Sequence, residues 1–409
     1  MPHPVFIMTS LGPIFADDLA RVKPGDRLRL TISAQTSDAA ALAQAALEAR
    51  ARGERVLVVC ADPADVPRLA QEMPWFEPKL DVRPLPDWET LPYDVLSPQE
   101  ELVSERLEAL YRLTAPTGGA DVLLTSAVTA SQRLSPVSYI GANTFFFHQG
   151  EQISLTTLQK RLAAAGYANV KQVLAAGEFA VRGSIVDVFP MGSERPFRLD
   201  FFDDEIESIR WFDVDTQRSM ESAEEIRLLP GHEFPVDPEA LLAFRQRWRR
   251  EFAGDPKKSI VYCDIEKEIL PPGIEYYLPL FFDETAALTD YLPPNARVFL
   301  LGDIEAALQA FGRDMASHYK VLAADPQRPA LAPERIWLKP EEFFKSLANF
   351  ARFTVEKKEN AEDLKRLTGI EVDRKSQNPV GKLLERTRES AMKGVRTLIA
   401  APSAGRMET

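Results

Sequence analysis

Three short, uninterrupted apolar runs constrain this chain most: Arg55–Cys60 (RVLVVC), Asp121–Ser126 (DVLLTS) and Arg297–Asp303 (RVFLLGD). A strand that is apolar at every position has no face for water, so it belongs inside a parallel sheet covered by helices on both sides. Helical patterning fills the intervals. Ala39 to Arg52 is alanine-rich, and Ser97 offers a helix start as N-cap, with Pro98 at the first helical position and Glu100 three residues after the cap. Val103, Leu107 and Leu110 supply that helix's apolar stripe. Repeated strand and helix units of this kind predict an open α/β sheet. At 409 residues the chain exceeds what one compact core usually holds.

Residues 137–217 change character. A helix over Leu155–Ala165 ends at Gly166, and strands follow at Ser184–Phe189, Phe197–Phe202 and Glu205–Phe212, an α+β insert. Helix and strand alternation then resumes over 218–355, so the α/β domain is read as two stretches, 1–136 and 218–355. Thr354–Asn378 is charged with few aromatics and reads as a linker, set as a segment at 356–378. A helix over Pro379–Met392 and a strand over Val395–Ala400 read as the incomplete start of a further α/β domain, 379–409. One helix and one strand cannot bury a core, so a piece of a longer protein is expected.

A net charge of −12 argues against nucleic acid as the main partner, because phosphate binding requires clustered Lys and Arg. The densest basic run, Arg245, Arg247, Arg249 and Arg250, shares a predicted helix with an apolar face of Leu241, Phe244, Trp248 and Phe252. A solvated helix face is the plainer reading and an anion-contacting patch the alternative. No apolar run reaches the ~20 residues of a membrane span, and the N-terminus lacks a basic leader, so the cytoplasm is expected. Cys60 reads as a buried strand residue rather than a ligand or disulfide partner.

Catalytic signatures are missing. Nucleotide hydrolysis would call for Gly-x4-Gly-Lys-Ser/Thr after a strand, and the loop Ser33–Asp38 has neither glycine nor lysine. Leu301–Glu305 lacks an adjacent acidic pair to hold magnesium. The four histidines have no metal-ligand spacing, and His232 reads as a loop residue. Asp203, Asp204, Glu205 and Glu207 suggest a carboxylate site, but Asp203 and Asp204 lie between two alternating strands and fit a hairpin turn better. No catalytic residue, cofactor or metal is assigned.

The strand Phe197–Phe202 carries the sharper signal. Alternation puts Phe197, Leu199 and Phe201 on a core face and Arg198, Asp200 and Phe202 on the other. Arginine and aromatic residues together are the types enriched at interface hot spots. The alternative is structural: Phe202 covering a neighbouring helix and Arg198 pairing with Asp200. Arg182, before Gly183, can join the same surface if no bulge intervenes.

Longer motifs then resemble a known family. Leu85–Leu110 (LPDWETLPYDVLSPQEELVSERLEAL) is similar to the N-terminal part of the bacterial transcription-repair coupling factors, and Pro271–Phe282 fits the returning half of the first domain. Gly177–Ser219 resembles the second domain shared by those factors and the excision-repair helicase UvrB. The resemblance implies a degenerate, RecA-like helicase sheet interrupted by the insert. It implies a non-catalytic adaptor whose insert binds UvrA through Arg182, Arg198 and Phe202, recruiting it to stalled RNA polymerase. RNA polymerase and double-stranded DNA would be bound by further domains of the family, as would masking of the UvrA surface; without the masking domain that surface should be exposed. The alternative is an ATP-dependent, UvrB-like DNA-unwinding enzyme. Against it stand the missing phosphate loop and Trp88–Ser97, too short for UvrB's tyrosine-rich DNA-clamping hairpin.

Overall fold

The computed structural model describes residues 19, 21–33, 38–115, 119–358, 378 and 380–394. In chain order the first stretch gives β1 (Arg27–Ser33), α1 (Asp38–Ala51), β2 (Val56–Cys60), α2 (Asp65–Phe76), β3 (Val82–Pro84), α3 (Glu100–Thr114) and β4 (Val122–Ser126). The middle gives β5 (Phe145–His148), α4 (Leu155–Ala164), β6 (Ala168–Asn169), β7 (Glu178–Arg182), β8 (Ile185–Val188), β9 (Phe197–Phe202), β10 (Glu205–Phe212), β11 (Ser219–Ala223) and β12 (Glu225–Leu228). The last stretch gives α5 (Pro238–Glu251), β13 (Arg297–Leu301), α6 (Ile304–Leu322), β14 (Ala351–Lys358) and α7 (Gly381–Met392), with shorter helices between.

The fold is mixed α/β, with one parallel six-stranded sheet and antiparallel sheets beside it. In the parallel sheet the order is β1-β14-β13-β2-β4-β3. The two late strands β13 and β14 therefore sit between two early ones. Every residue of β2, β4 and β13 is buried, as their continuous apolar character requires. Alanines make α1 thin enough to lie close against this sheet, burying Ala39, Ala41, Ala45, Ala46 and Ala49.

A second six-stranded sheet runs β11-β10-β9-β8-β7-β6, antiparallel except for the β6–β7 pair. Where the chain enters and leaves this region, β5 and β12 pair with each other as a separate antiparallel ribbon. Helix α4 is capped at Ala165 and followed by Gly166, whose φ of +90° a side chain would disfavour. The inner face of the second sheet shares a continuous apolar core with α3, α4 and the parallel sheet, including Leu57, Leu107, Leu158, Leu199 and Ile209. Polar groups clasp the same seam: Glu108 of α3 accepts from Arg112 Nε at 2.6 Å and from Arg227 of β12. The Gly192 amide donates to Ser104 Oγ at 2.7 Å.

Two sequence expectations fail here. Ser97 is not the cap of α3; the helix begins at Glu100 after Gln99, whose side chain makes no capping bond. Ser97 Oγ instead donates to Glu275 Oε2 at 2.9 Å and accepts the Gly273 amide at 3.0 Å, a long-range tie that outcompetes the local cap. The linker also starts too early, since Thr354–Lys358 is part of β14. Its charged end is tolerated because β13 pairs only as far as Val355. Beyond that point β14 pairs only with β1, where Arg29 meets Glu356 at 3.2 Å. The rest of the expected linker, 359–377, and the strand Val395–Ala400 lie outside the described residues, as do residues 34–37 of the loop after β1.

Two buried polar features give predictions. Burial pushes the Cys60 thiol up to about 12, while Cys263 is only partly buried, its Sγ 3.4 Å from the Lys257 carbonyl. Thiol labelling at pH 8 should therefore modify Cys263 alone in the native protein and both cysteines after denaturation; labelling of native Cys60 at a comparable rate would contradict its burial. Burial likewise raises the Glu275 carboxyl from 4.5 to about 7, against the lowering effect of the Ser97 bond. Because the folded state holds this proton more tightly, stability falls as pH rises from about 4.5 to about 7. Glu275→Gln should therefore be more stable than the parent at pH 8, with the gap closing as pH falls towards 4.5. Parallel unfolding curves across that range would refute it.

Candidate protein-interaction surface

The outward face of the second sheet collects charged and aromatic side chains in registered rows. Ala180 of β7, Asp187 of β8, Arg198 of β9 and Arg210 of β10 lie directly across from one another. The next row is Arg182, Ile185, Asp200 and Ser208. Phe202, opposite Glu205, ends the face. Strand alternation holds along β9: Phe197, Leu199 and Phe201 are buried, Arg198 and Asp200 half-buried, and Phe202 is 68% exposed. The Gly183–Ser184 turn between β7 and β8 is a tight two-residue connection, with Arg182 paired to Ile185 and Gly183 at φ +63°. No bulge intervenes, so Arg182 faces the same way as Arg198 and Phe202. The fold thus brings the three sequence-selected residues onto one side of one sheet.

Their electrostatics turn on a residue the sequence reading missed. Asp187 has a fully buried side chain and takes both arginines. Arg198 grips it in a fork, Nε to Oδ1 at 2.6 Å and Nη2 to Oδ2 at 3.0 Å, and Arg182 bonds Oδ2. Arg198 Nη1 also donates to the Gln217 carbonyl and to Ser219 Oγ, both at 3.2 Å, and the guanidinium lies 5.0 Å from the Phe212 ring centre. These bonds hold Arg198 above its ordinary pKa, chiefly through Asp187. The Arg198–Asp200 pair of the structural alternative does not form; Asp200 accepts from Ser184 Oγ at 3.2 Å instead. Nor does Phe202 cover a helix, because it stands in solvent. Among the described residues the Arg182 side chain makes one bond, and it is 49% exposed, against 17% for Arg198. The only signal of Asp187 in the sequence is a carboxylate set among Ile185, Val186 and Val188, where a buried acid needs a cation.

Against this geometry, residues 145–234 match the UvrB interaction domain family. The chain is 42% identical to the transcription-repair-coupling factor of Escherichia coli (strain K12) over 298 residues, covering 73% of this chain and 26% of that protein. Against that of Haemophilus influenzae it is 44% identical over 277 residues, 67% of this chain and 24% of that protein. The chain belongs to the transcription-repair coupling factor family, in its N-terminal region. The coupling factor of Bacillus subtilis is more distant, 32% identical over 216 residues. This chain spans about a quarter of the length of the E. coli and H. influenzae coupling factors it matches.

Other candidate sites of this coupling-factor region look different. At the C-terminal ends of β2, β13 and β14 an open cleft of about 750 Å³ is lined by Asp62, Asp65, Asp303, Glu305 and Glu356, with Arg29. Carboxylates so placed repel the phosphates of a nucleotide. Asp38, at the start of α1, is bound by Arg68 at 2.8 and 2.9 Å, so its own carboxylate stands where a helix N-terminus would receive an anion. On α5 two of the four arginines of the basic run are paired with acids, Arg247 with Asp283 at 2.6 Å and Arg245 with Glu266 at 3.5 Å, and Arg249 lies over the Tyr262 ring. The acidic group at 203–207 includes the hairpin turn, Asp203 having φ +52°. His232 stacks on Phe234, and burial lowers its pKa to about 4. Among the described residues no cluster of three His, Cys, Asp or Glu side chains is placed to hold a metal ion, and no helix is long and apolar enough to cross a membrane.

Proposed function

We propose that this chain is a non-catalytic, cytoplasmic adaptor that binds UvrA through the outward face of its insert and so delivers it to stalled transcription complexes. In this reading the insert spans about 137–217 within an α/β domain made of 1–136 and 218–355, followed by a linker and a further domain. RNA polymerase and double-stranded DNA are partners of the whole coupling factor, through other regions. The observation that carries the reading is the single sheet face shared by Arg182, Arg198 and Phe202 inside the stretch matching the UvrB interaction domain. Guanidiniums held by a buried carboxylate are pre-ordered for charge-assisted bonds, and an exposed phenylalanine is an apolar anchor with little rotamer freedom to lose.

The test is binding to purified UvrA. Phe202→Ala and Arg182→Ala should each weaken it by about 1–3 kcal/mol, with unfolding midpoints near the parent's because Arg198 still pairs Asp187. Arg198→Glu is a poorer probe, since it sets a second acid against buried Asp187. A folded parent chain with no measurable affinity for UvrA would overturn the adaptor reading. Micromolar ATP binding would favour the UvrB-like enzyme instead, against the acid-lined cleft.

A further inference from the structure

We infer that Arg210 is a third recognition cation of this face, contacting a carboxylate of the partner; the inference rests on the adaptor reading above. Arg210 on β10 stands directly opposite Arg198 on β9. Like charges in directly opposed cross-strand positions are unfavourable, so an unrelieved pair calls for a reason. Asp187 relieves only half of it. Its carboxylate is taken by Arg182 and Arg198, and among the described residues Arg210 makes no ion pair or hydrogen bond through its side chain and is exposed. Arg182, Arg198 and Arg210 thus outnumber the two acids beside them, Asp187 and Asp200, in a chain of net charge −12.

Of the other acids that share this parity, Glu178 lies beyond the row on β7 and is taken by the Leu174 and Ala175 amides, while Asp200 and Glu205 lie towards Phe202. Asp200 accepts from Ser184, and Glu205, opposite Phe202, accepts from Gln152 Nε2 at 2.7 Å. The face is therefore polarised, cationic at the Arg198–Arg210 row and acidic with one exposed ring at the other end. Arg198 has spent most of its donors on Asp187, Gln217 and Ser219. The guanidiniums with donors to spare are Arg182 and Arg210. Arg198 to Phe202 is four residues along one strand, roughly 13 Å. The matching partner surface presents carboxylates at the arginine row and an apolar recess about that far away.

The experiment titrates UvrA into the parent, Arg210→Glu, Arg210→Ala and Phe202→Ala, with thermal unfolding of each. Arg210→Glu should bind about tenfold or more weakly, with Arg210→Ala between it and the parent, and the parent's affinity should fall more steeply with salt than that of either variant. Thermal midpoints of both Arg210 variants should equal or exceed the parent's, since removing the cation relieves Arg198. Full affinity in Arg210→Glu beside a loss in Phe202→Ala overturns this inference and leaves the adaptor reading standing. A lowered midpoint in Arg210→Ala makes Arg210 structural and overturns it as well. No binding by the folded parent overturns both.

Discussion

Replacing Glu233 by alanine should lower the unfolding free energy by about 3–5 kcal/mol. Arg106 is fully buried on α3, and Glu233 is 3% exposed. Arg106 Nε meets Glu233 Oε1 at 2.6 Å and Nη2 meets Oε2 at 3.1 Å, while Nη2 also reaches Gln132 Oε1 at 2.9 Å and Nη1 the Pro86 carbonyl at 2.7 Å. Trp88 Nε1 donates to Glu233 Oε1 at 3.1 Å. Taking away the carboxylate leaves a guanidinium in a dry site with neutral acceptors only, and orphans the indole N–H. Denaturant unfolding measures the loss; a change under about 1 kcal/mol would mean that water or another acid reaches Arg106. The double variant Arg106→Met, Glu233→Leu should recover most of the loss, because removing both charges removes the desolvation burden with them.

Asp187→Ala should be the second most damaging change, on the order of 3 kcal/mol. It leaves Arg182 and Arg198 facing each other across β8 without a counter-charge. The effect is smaller than in the Glu233 site because both arginines reach water and can turn outward. Hydrogen exchange should quicken in β7, β8 and β9 while the parallel sheet keeps its protection, and UvrA affinity should fall with the loss of arginine order. Asp187→Asn, which keeps one acceptor without the charge, should lie between. Uniform loss of protection across both sheets would indicate that the insert does not open separately.

Much of this was legible in the sequence where a residue's neighbours along the chain decide its fate. The runs at Val56–Cys60, Val122–Ser126 and Arg297–Leu301 could only be doubly covered strands. Alternation along Phe197–Phe202 needs nothing beyond strand geometry. What stayed hidden depends on neighbours across the fold. Asp187 looks like any strand residue until register sets it between Arg182 and Arg198. Arg198 seemed to have a partner in Asp200, two residues away, but the buried acid opposite was the stronger one. Ser97 had every local mark of a cap and was claimed by Glu275. Lys357 and Lys358 read as linker because charge density carries no record of a strand on one side only.

The strand order β14-β13-β2 fixes a schedule as well as a shape. On the ribosome, β2 emerges early and can pair with β4, but its other edge waits for β13. Roughly 240 residues separate Cys60 from Arg297, so at ~5–20 residues per second that edge stays bare for on the order of 10–50 seconds. During this interval the insert, whose own strands are contiguous in the chain, can fold while the sheet beneath it is half built. The nascent protein should therefore depend on holdase chaperones in this window, and slowing translation after Leu228 should lengthen the dependence.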